Sequence, residues 1–262
     1  MKRLLVLYFI AAFLLAGCGS SKNTTTTAPP TLAQRIPAKF DFSPPSRAQA
    51  ATAGLAIAMV KPSYVNKNAE YFMNPFSEMA VRMADDFDEL LTAKGFTIRG
   101  PFGSRDEMTY NDKLNSSFIL EIGIELNSEY KRKYTTEEHS PSIGQILTNK
   151  YATTTYTNKM SGPIILGGNL VIKAKSAQYG ELLWTKSIAL DASTFECPGQ
   201  MNWTGIPTIQ EELTKDDLVY NTLSRELEKL YLKALNLAWQ QIDVAEMKTV
   251  ADQGKKADKR GS

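Results

Sequence analysis

The sequence predicts an α+β domain, a mixed sheet of about five strands with helices packed on one face, in the order β-α-β-(α)-β-β-β-α with two long loop insertions. Three observations carry this. The continuous apolar run Leu55-Ala56-Ile57-Ala58-Met59-Val60 has the length and two-sided apolarity of a strand buried in a parallel sheet. Strict alternation follows from Phe118 to Leu126, the signature of a half-buried strand. Two longer stretches, one behind Asn74-Pro75 and one behind Asp216-Asp217, repeat their apolar residues at helical spacing.

Taken in order, the first strand stops at Lys61-Pro62, because proline has no amide to give to a ladder. The first helix follows. Asn74 is placed to cap it, Pro75 suits its first position, and Phe76, Met79, Ala80, Met83, Phe87, Leu90 and Leu91 recur on one face until Lys94-Gly95. Phe96 to Arg99 reads as a second strand, and the polar segment Ser104 to Asn115 as a second helix or a loop. In the next strand Phe118, Leu120, Ile122, Ile124 and Leu126 point one way, and Glu121, Gly123 and Glu125 the other. Leu170, Ile172 and Ala174 lead into a turn at Gln178-Tyr179-Gly180, and Leu182, Trp184, Ile188 and Leu190 return, which makes a hairpin. The last helix is capped by Asp216 or Asp217 and carries a stripe of Leu223, Leu227, Leu230, Ala234, Leu237 and Ala238, widened by Leu235, Trp239 and Ile242. The two insertions are Glu129 to Leu166, rich in tyrosine and threonine, and Ser193 to Lys215, which holds Phe195, Cys197 and Trp203.

The N-terminus is a secretory leader. Lys2 and Arg3 precede an apolar run from Leu4 to Leu15, too short to span a bilayer, which takes about 20 residues. The run closes on Leu15-Ala16-Gly17-Cys18, which resembles the lipobox of bacterial lipoproteins, so residues 1–17 are expected to be removed and Cys18 to carry a covalent lipid, palmitate among its acyl chains, that holds the protein to a bilayer. Gly19 and Ser20 in place of aspartate resemble outer-membrane sorting. Residues 18–52, with Thr24 to Pro30 and Ser43-Pro44-Pro45, are expected to be a disordered tether. Residues 53–247 then form one domain, and 248–262, with Lys255-Lys256 and Lys259-Arg260, a flexible basic tail.

Of the 30 basic residues, Lys2 and Arg3 leave with the leader, so 28 balance the 28 acidic ones. A near-neutral mature chain lacks the basic excess of a nucleic-acid binder. With Cys18 acylated, Cys197 is a lone thiol. Catalysis finds little support. The single histidine, His139, follows Glu137-Glu138 in a polar stretch without a ligand cluster or a nucleophile elbow. Glu121 and Glu125 share a strand face, but four residues put them roughly 13 Å apart, whereas the carboxylates of a glycosidase sit about 5 to 10 Å apart. Cross-strand pairing with Lys173 and Lys175 suits them better. Gly167-Gly168 lacks the lysine of a phosphate loop. The expectation is a non-enzyme without metal or cofactor.

Several stretches resemble the HpaA family, the neuraminyllactose-binding haemagglutinin lipoproteins of Helicobacter. Val60-Lys61-Pro62-Ser63-Tyr64 with Asn68-Ala69-Glu70-Tyr71 is similar to the family's segment after its first strand. Met160-Ser161-Gly162, Ile165, Gly168, Ile172 and Gly180-Glu181 match without gaps. The resemblance runs from about Ala53 to Arg260 at low identity. It implies an outer-membrane surface lipoprotein and adhesin, with the flagellar sheath as one setting and sialylated glycans as ligand. The family's basic motif corresponds here to Lys131-Arg132-Lys133-Tyr134, followed by Thr135-Thr136 where the family ends on lysine. Through that resemblance Lys131, Arg132, Lys133 and Tyr134 are the candidate ligand-binding residues, with arginine suited to clamp a sialate carboxylate in bidentate fashion. The other class open to the sequence is an envelope assembly or scaffold lipoprotein whose loops dock on a protein partner.

Overall fold

A computed structural model describes residues 32–149 and 151–260. The leader, Cys18 and the tether as far as residue 31 lie outside those residues. In chain order the strands are β1 (Ala56–Val60), β2 (Ser63–Tyr64), β3 (Thr97–Phe102), β4 (Phe118–Tyr130), β5 (Lys133–His139), β6 (Thr155–Ser161), β7 (Pro163–Lys175) and β8 (Leu182–Glu196). The helices are α1 (Phe76–Ala93), α2 (Tyr110–Leu114), α3 (Ile143–Thr148), α4 (Ile209–Lys215), α5 (Asp217–Gln241) and α6 (Val244–Arg260).

The fold is α+β with a mixed sheet, ordered β3-β1-β4-β7-β8, and β2 also joins β4. β1 runs parallel to both β3 and β4, β2 runs parallel to β4, and β7 is antiparallel to both β4 and β8. The alternation in β4 decides which face is covered: Phe118, Leu120, Ile122, Ile124 and Leu126 are all buried under the helices. The opposite face carries the half-exposed Glu121 and Glu125, and the Lys175 ammonium lies 2.7 Å from the Glu121 carboxylate. This is the cross-strand pairing the sequence suggested, one step diagonal to the direct partner Lys173.

α1 begins one residue later than its sequence signal. Pro75 is the capping residue and Asn74 Oδ1 accepts a hydrogen bond from the Ser77 hydroxyl at 2.6 Å. Its apolar stripe of Phe76, Met79, Met83, Phe87, Leu90 and Leu91 is buried. α5 starts at Asp216, whose carboxylate accepts from the amides of Leu218 and Val219. That cap satisfies two of the amides every helix start leaves open. The predicted stripe from Leu223 to Ala238 faces the sheet, although Leu237 and Trp239 are only partly buried.

Three expectations are corrected. The tether reading fails for its described part, because Ala38, Phe40 and Phe42 are buried and the irregular stretch from Ala33 to Ala48 is strapped across α5 and α1. The Ile36 and Lys39 amides donate to Asn221 and Glu228 on α5, the Phe42 amide to Asp86 on α1, and the Ala48 amide to the Ala93 carbonyl. Three small or aromatic residues at alternate positions supply enough apolar burial to order a proline-rich segment. The flexible tail is instead α6, whose Met247, Val250 and Ala251 recur at helical spacing and are buried. Glu246 on α6 also accepts a hydrogen bond from the Trp184 indole at 2.9 Å. The third correction concerns the insertions. The first is a separate two-stranded sheet, β5 and β6, with α3 at its tip, and the second contains the end of β8 and α4.

Candidate functional site

β4 and β7 stay paired as far as Tyr130 opposite Ile164, with β8 alongside to Glu196 opposite Pro163, and the two-residue link Lys131-Arg132 turns the chain into β5. β5 and β6 then pair from Lys133 opposite Ser161 to His139 opposite Thr155. Seven rungs at about 3.3 Å carry this hairpin roughly 20 Å outward. Every residue from Thr135 to Asn149 is exposed except the half-buried Pro141, so the hairpin is an arm that stands off the domain. Its tip is nucleated by a reciprocal cap: the Gln145 amide donates to the Ser142 hydroxyl, and the Ser142 amide to the Gln145 side chain.

The four sequence-predicted ligand residues sit at the base of this arm but do not converge. Lys131 is exposed, with its ammonium 3.4 Å from Glu129, and Lys133 is exposed on the next strand. The Tyr134 hydroxyl donates to the Trp203 carbonyl at 3.2 Å. Arg132 points inward. Its side chain is 2% exposed, its Nη1 donates to the Glu212 carboxylate of α4, and its Nη2 donates to the Met160 carbonyl at 3.2 Å. A glycan clamp at Arg132 is therefore corrected: the fork is occupied by a buried carboxylate of its own chain.

The surroundings explain why. The stretch after β8 folds back over the arm's base, with the Cys197 amide donating to the Gly162 carbonyl and the Gly199 amide to that of Met160. Asp216 accepts from the Gln200 and Met201 amides as well as capping α5. Burial pushes the Glu212 carboxyl above its ordinary value, Arg132 opposes this, and Asp216 adds to it. Arg132 Nε and Glu212 Oε1 have no protein partner, so the pair is a tight but incompletely satisfied pin between arm and α4. Cys197 lies against it, wholly buried, and burial pushes its thiol up to about 12.

His139 ends β5 in the open, 3.9 Å from a Glu137 carboxylate that Lys159 approaches to 2.9 Å across the hairpin. Glu137 is held below its usual range first by that hydrogen bond and then by the Lys159 charge. It is a surface cross-strand pair. What the sequence reading missed is the arm's tip, where Ile143, Ile146, Leu147, Tyr151 and Tyr156 are 78%, 54%, 81%, 82% and 59% exposed. The signal was present in Ser142-x-x-Gln145, a capping box, followed by apolar residues at helical spacing.

These features define a class of fold: a mixed sheet covered on one face by α1, α5 and α6, with a hairpin arm thrown out between two antiparallel strands. No protein-family model and no curated protein matches the sequence. Among solved structures the chain is similar to a neuraminyllactose-binding hemagglutinin homolog from Helicobacter pylori, with a TM-score of 0.54 at 10% identity, covering 84% of this chain and 100% of that one. Fainter likenesses are to the PelC dodecamer of Paraburkholderia phytofirmans (TM-score 0.29, 12% identity, 74% of this chain and 91% of that one) and to lipoprotein GNA1162 of Neisseria meningitidis (0.25, 11%, 65% and 99%). The likeness to the Helicobacter protein is one of fold. Among the described residues no helix is long and apolar enough to cross a membrane.

Proposed function

We propose that this chain is a non-enzymatic envelope lipoprotein, held on the outer membrane through a lipid on Cys18 and acting by surface contact. The observation that supports it best is the arm: a solvent-facing projection pinned at its base by the Arg132–Glu212 pair is built for contact. The shared fold with the Helicobacter hemagglutinin homolog supports an adhesin as the form this contact takes. A sialylated ligand would then meet Lys131, Lys133 and the Tyr134 ring, without the bidentate help of Arg132. The burial of Arg132 removes one support of the adhesin reading, and the second reading is a scaffold lipoprotein that grips a protein partner in the envelope.

A glycan array with the acylated protein in detergent separates the two. The adhesin reading expects sialylated hits that fade in Lys131→Ala/Lys133→Ala, two exposed positions where substitution leaves the fold intact. An array with no sialylated hit would discard it in favour of the scaffold. The anchor itself is read by mass spectrometry, where an uncut leader or a free Cys18 thiol would end the lipoprotein reading.

A further inference from the structure

The arm's tip combines exposed apolar mass with an unusual charge pattern. Between His139 and Lys159 the sequence has one charged residue, Lys150, and no carboxylate occurs between Glu138 and Glu181. The remaining polar residues are threonine, serine, asparagine and glutamine, none of which carries a charge. Exposed isoleucine and leucine beside Tyr151, with one lysine and no carboxylate beyond Glu138, which faces Tyr156 across the hairpin on the domain side of the tip, is the chemistry that suits the boundary between acyl chains and headgroups.

The way the chain enters the domain gives a second, independent argument. The described chain begins at Leu32, and the Ala33 amide donates to Gln200, two residues before Asn202, whose side chain accepts from the Asn158 amide of β6. The Trp203 amide donates to the Asn158 carbonyl in the same corner. The N-terminal segment thus enters beside the base of the arm, at the opposite end of the sheet from the β7–β8 turn. The 13 residues between Cys18 and Leu32 can reach at most about 50 Å, more than the roughly 20 Å of the arm. An anchor at Cys18 and the arm's tip can therefore share one bilayer.

From these two observations we infer that the tip, through Ile143, Ile146, Leu147 and Tyr151, inserts into the interface of the lipid surface to which the chain is anchored, a second and non-covalent foothold. The inference rests on the anchoring reading above. It makes the module a two-point attachment, with the domain held at a fixed attitude to the membrane rather than swinging on a leash.

The test uses the full acylated chain in phosphatidylethanolamine/phosphatidylglycerol vesicles, with an environment-sensitive fluorophore on Leu147→Cys. Cys197 is buried and Cys18 acylated, so the label goes to one site. The expected result is a several-fold brighter, blue-shifted emission on reconstitution that spin-labelled lipids quench, while the same label on Tyr179→Cys, in the turn at the far end, does not change. Co-flotation of the protein with vesicles while the Leu147 probe stays water-like would overturn the tip insertion alone. Absence of co-flotation would remove the anchoring reading and this inference together. A probe that is water-like on vesicles but shielded in intact cells would assign the tip to a protein partner and would equally overturn it.

Discussion

Removing one half of the Arg132–Glu212 pin should cost far more stability than any surface arginine. Both side chains are almost wholly buried, at 2% and 3% exposure. Arg132→Ala leaves the Glu212 carboxylate without its counter-charge beside Asp216, and breaking a buried pair from one side costs about 3–5 kcal/mol. With a urea m-value of about 3 kcal/mol/M for a domain of this size, the unfolding midpoint should fall by about 1 to 1.7 M with the slope unchanged. The pH dependence gives the sign. A carboxyl raised in the folded state binds its proton more tightly there than in the unfolded chain, so its contribution is present at low pH and lost as pH rises through the folded value. Without Arg132 the opposing charge disappears and Glu212 rises further. The deficit of the variant should therefore be largest near pH 8 and shrink toward pH 5, and Glu212→Gln in the Arg132→Ala background should restore part of it. Tryptophan fluorescence follows the transition, since Trp203 sits in the same corner. A deficit that is equal at all pH values, or a midpoint shift of less than about 0.3 M, would refute the reasoning, because lost packing rather than an orphaned charge would then carry the effect.

Phe42→Ala should cost about 3–5 kcal/mol and expose the stretch from Ala33 to Ala48 to limited proteolysis, because Phe42 is a core residue despite its proline-rich setting; wild-type protease resistance would count against the strap. Gly168→Ala should abolish soluble folded protein, since φ is +148° and a Cβ there would come within 1.9 Å of the Glu125 carbonyl oxygen on β4; circular dichroism reads it, and a wild-type melting curve would contradict the geometry. Cys197 should resist thiol reagents in the native acylated protein and react fully in denaturant, as its buried thiol is pushed up to about 12; rapid native labelling would show that the corner opens.

The sheet and its covering helices were legible because each depends on a periodicity that burial enforces. The alternation in β4 and the stripes of α1 and α5 place apolar residues where they fall in the structure. The strap and α6 were read as disorder for a compositional reason: their few buried residues, Phe40 and Phe42 in one and Met247 and Val250 in the other, are diluted by proline, lysine and aspartate. A segment that packs on a finished domain needs fewer apolar residues than one that must nucleate a core. The arm was missed because β5 and β6 are polar apart from Tyr134, Tyr156 and Met160, too few to mark an alternation. Their threonines, which favour extended backbone, were the remaining hint. Arg132 misled for another reason. Its partner Glu212 lies 80 residues away, and nothing local distinguishes an inward-turned arginine from its solvated neighbours Lys131 and Lys133.

The strap along α5 also determines where mechanical load enters. A pull on the N-terminal end is met first by the Ala33 and Arg35 contacts, then by the Ile36 and Lys39 amides, and only afterwards by Phe40 and Phe42. Such a pull would peel this seam residue by residue while β4, at the centre of the sheet, stayed intact. The seam is thus the first length of the fold to yield under tension.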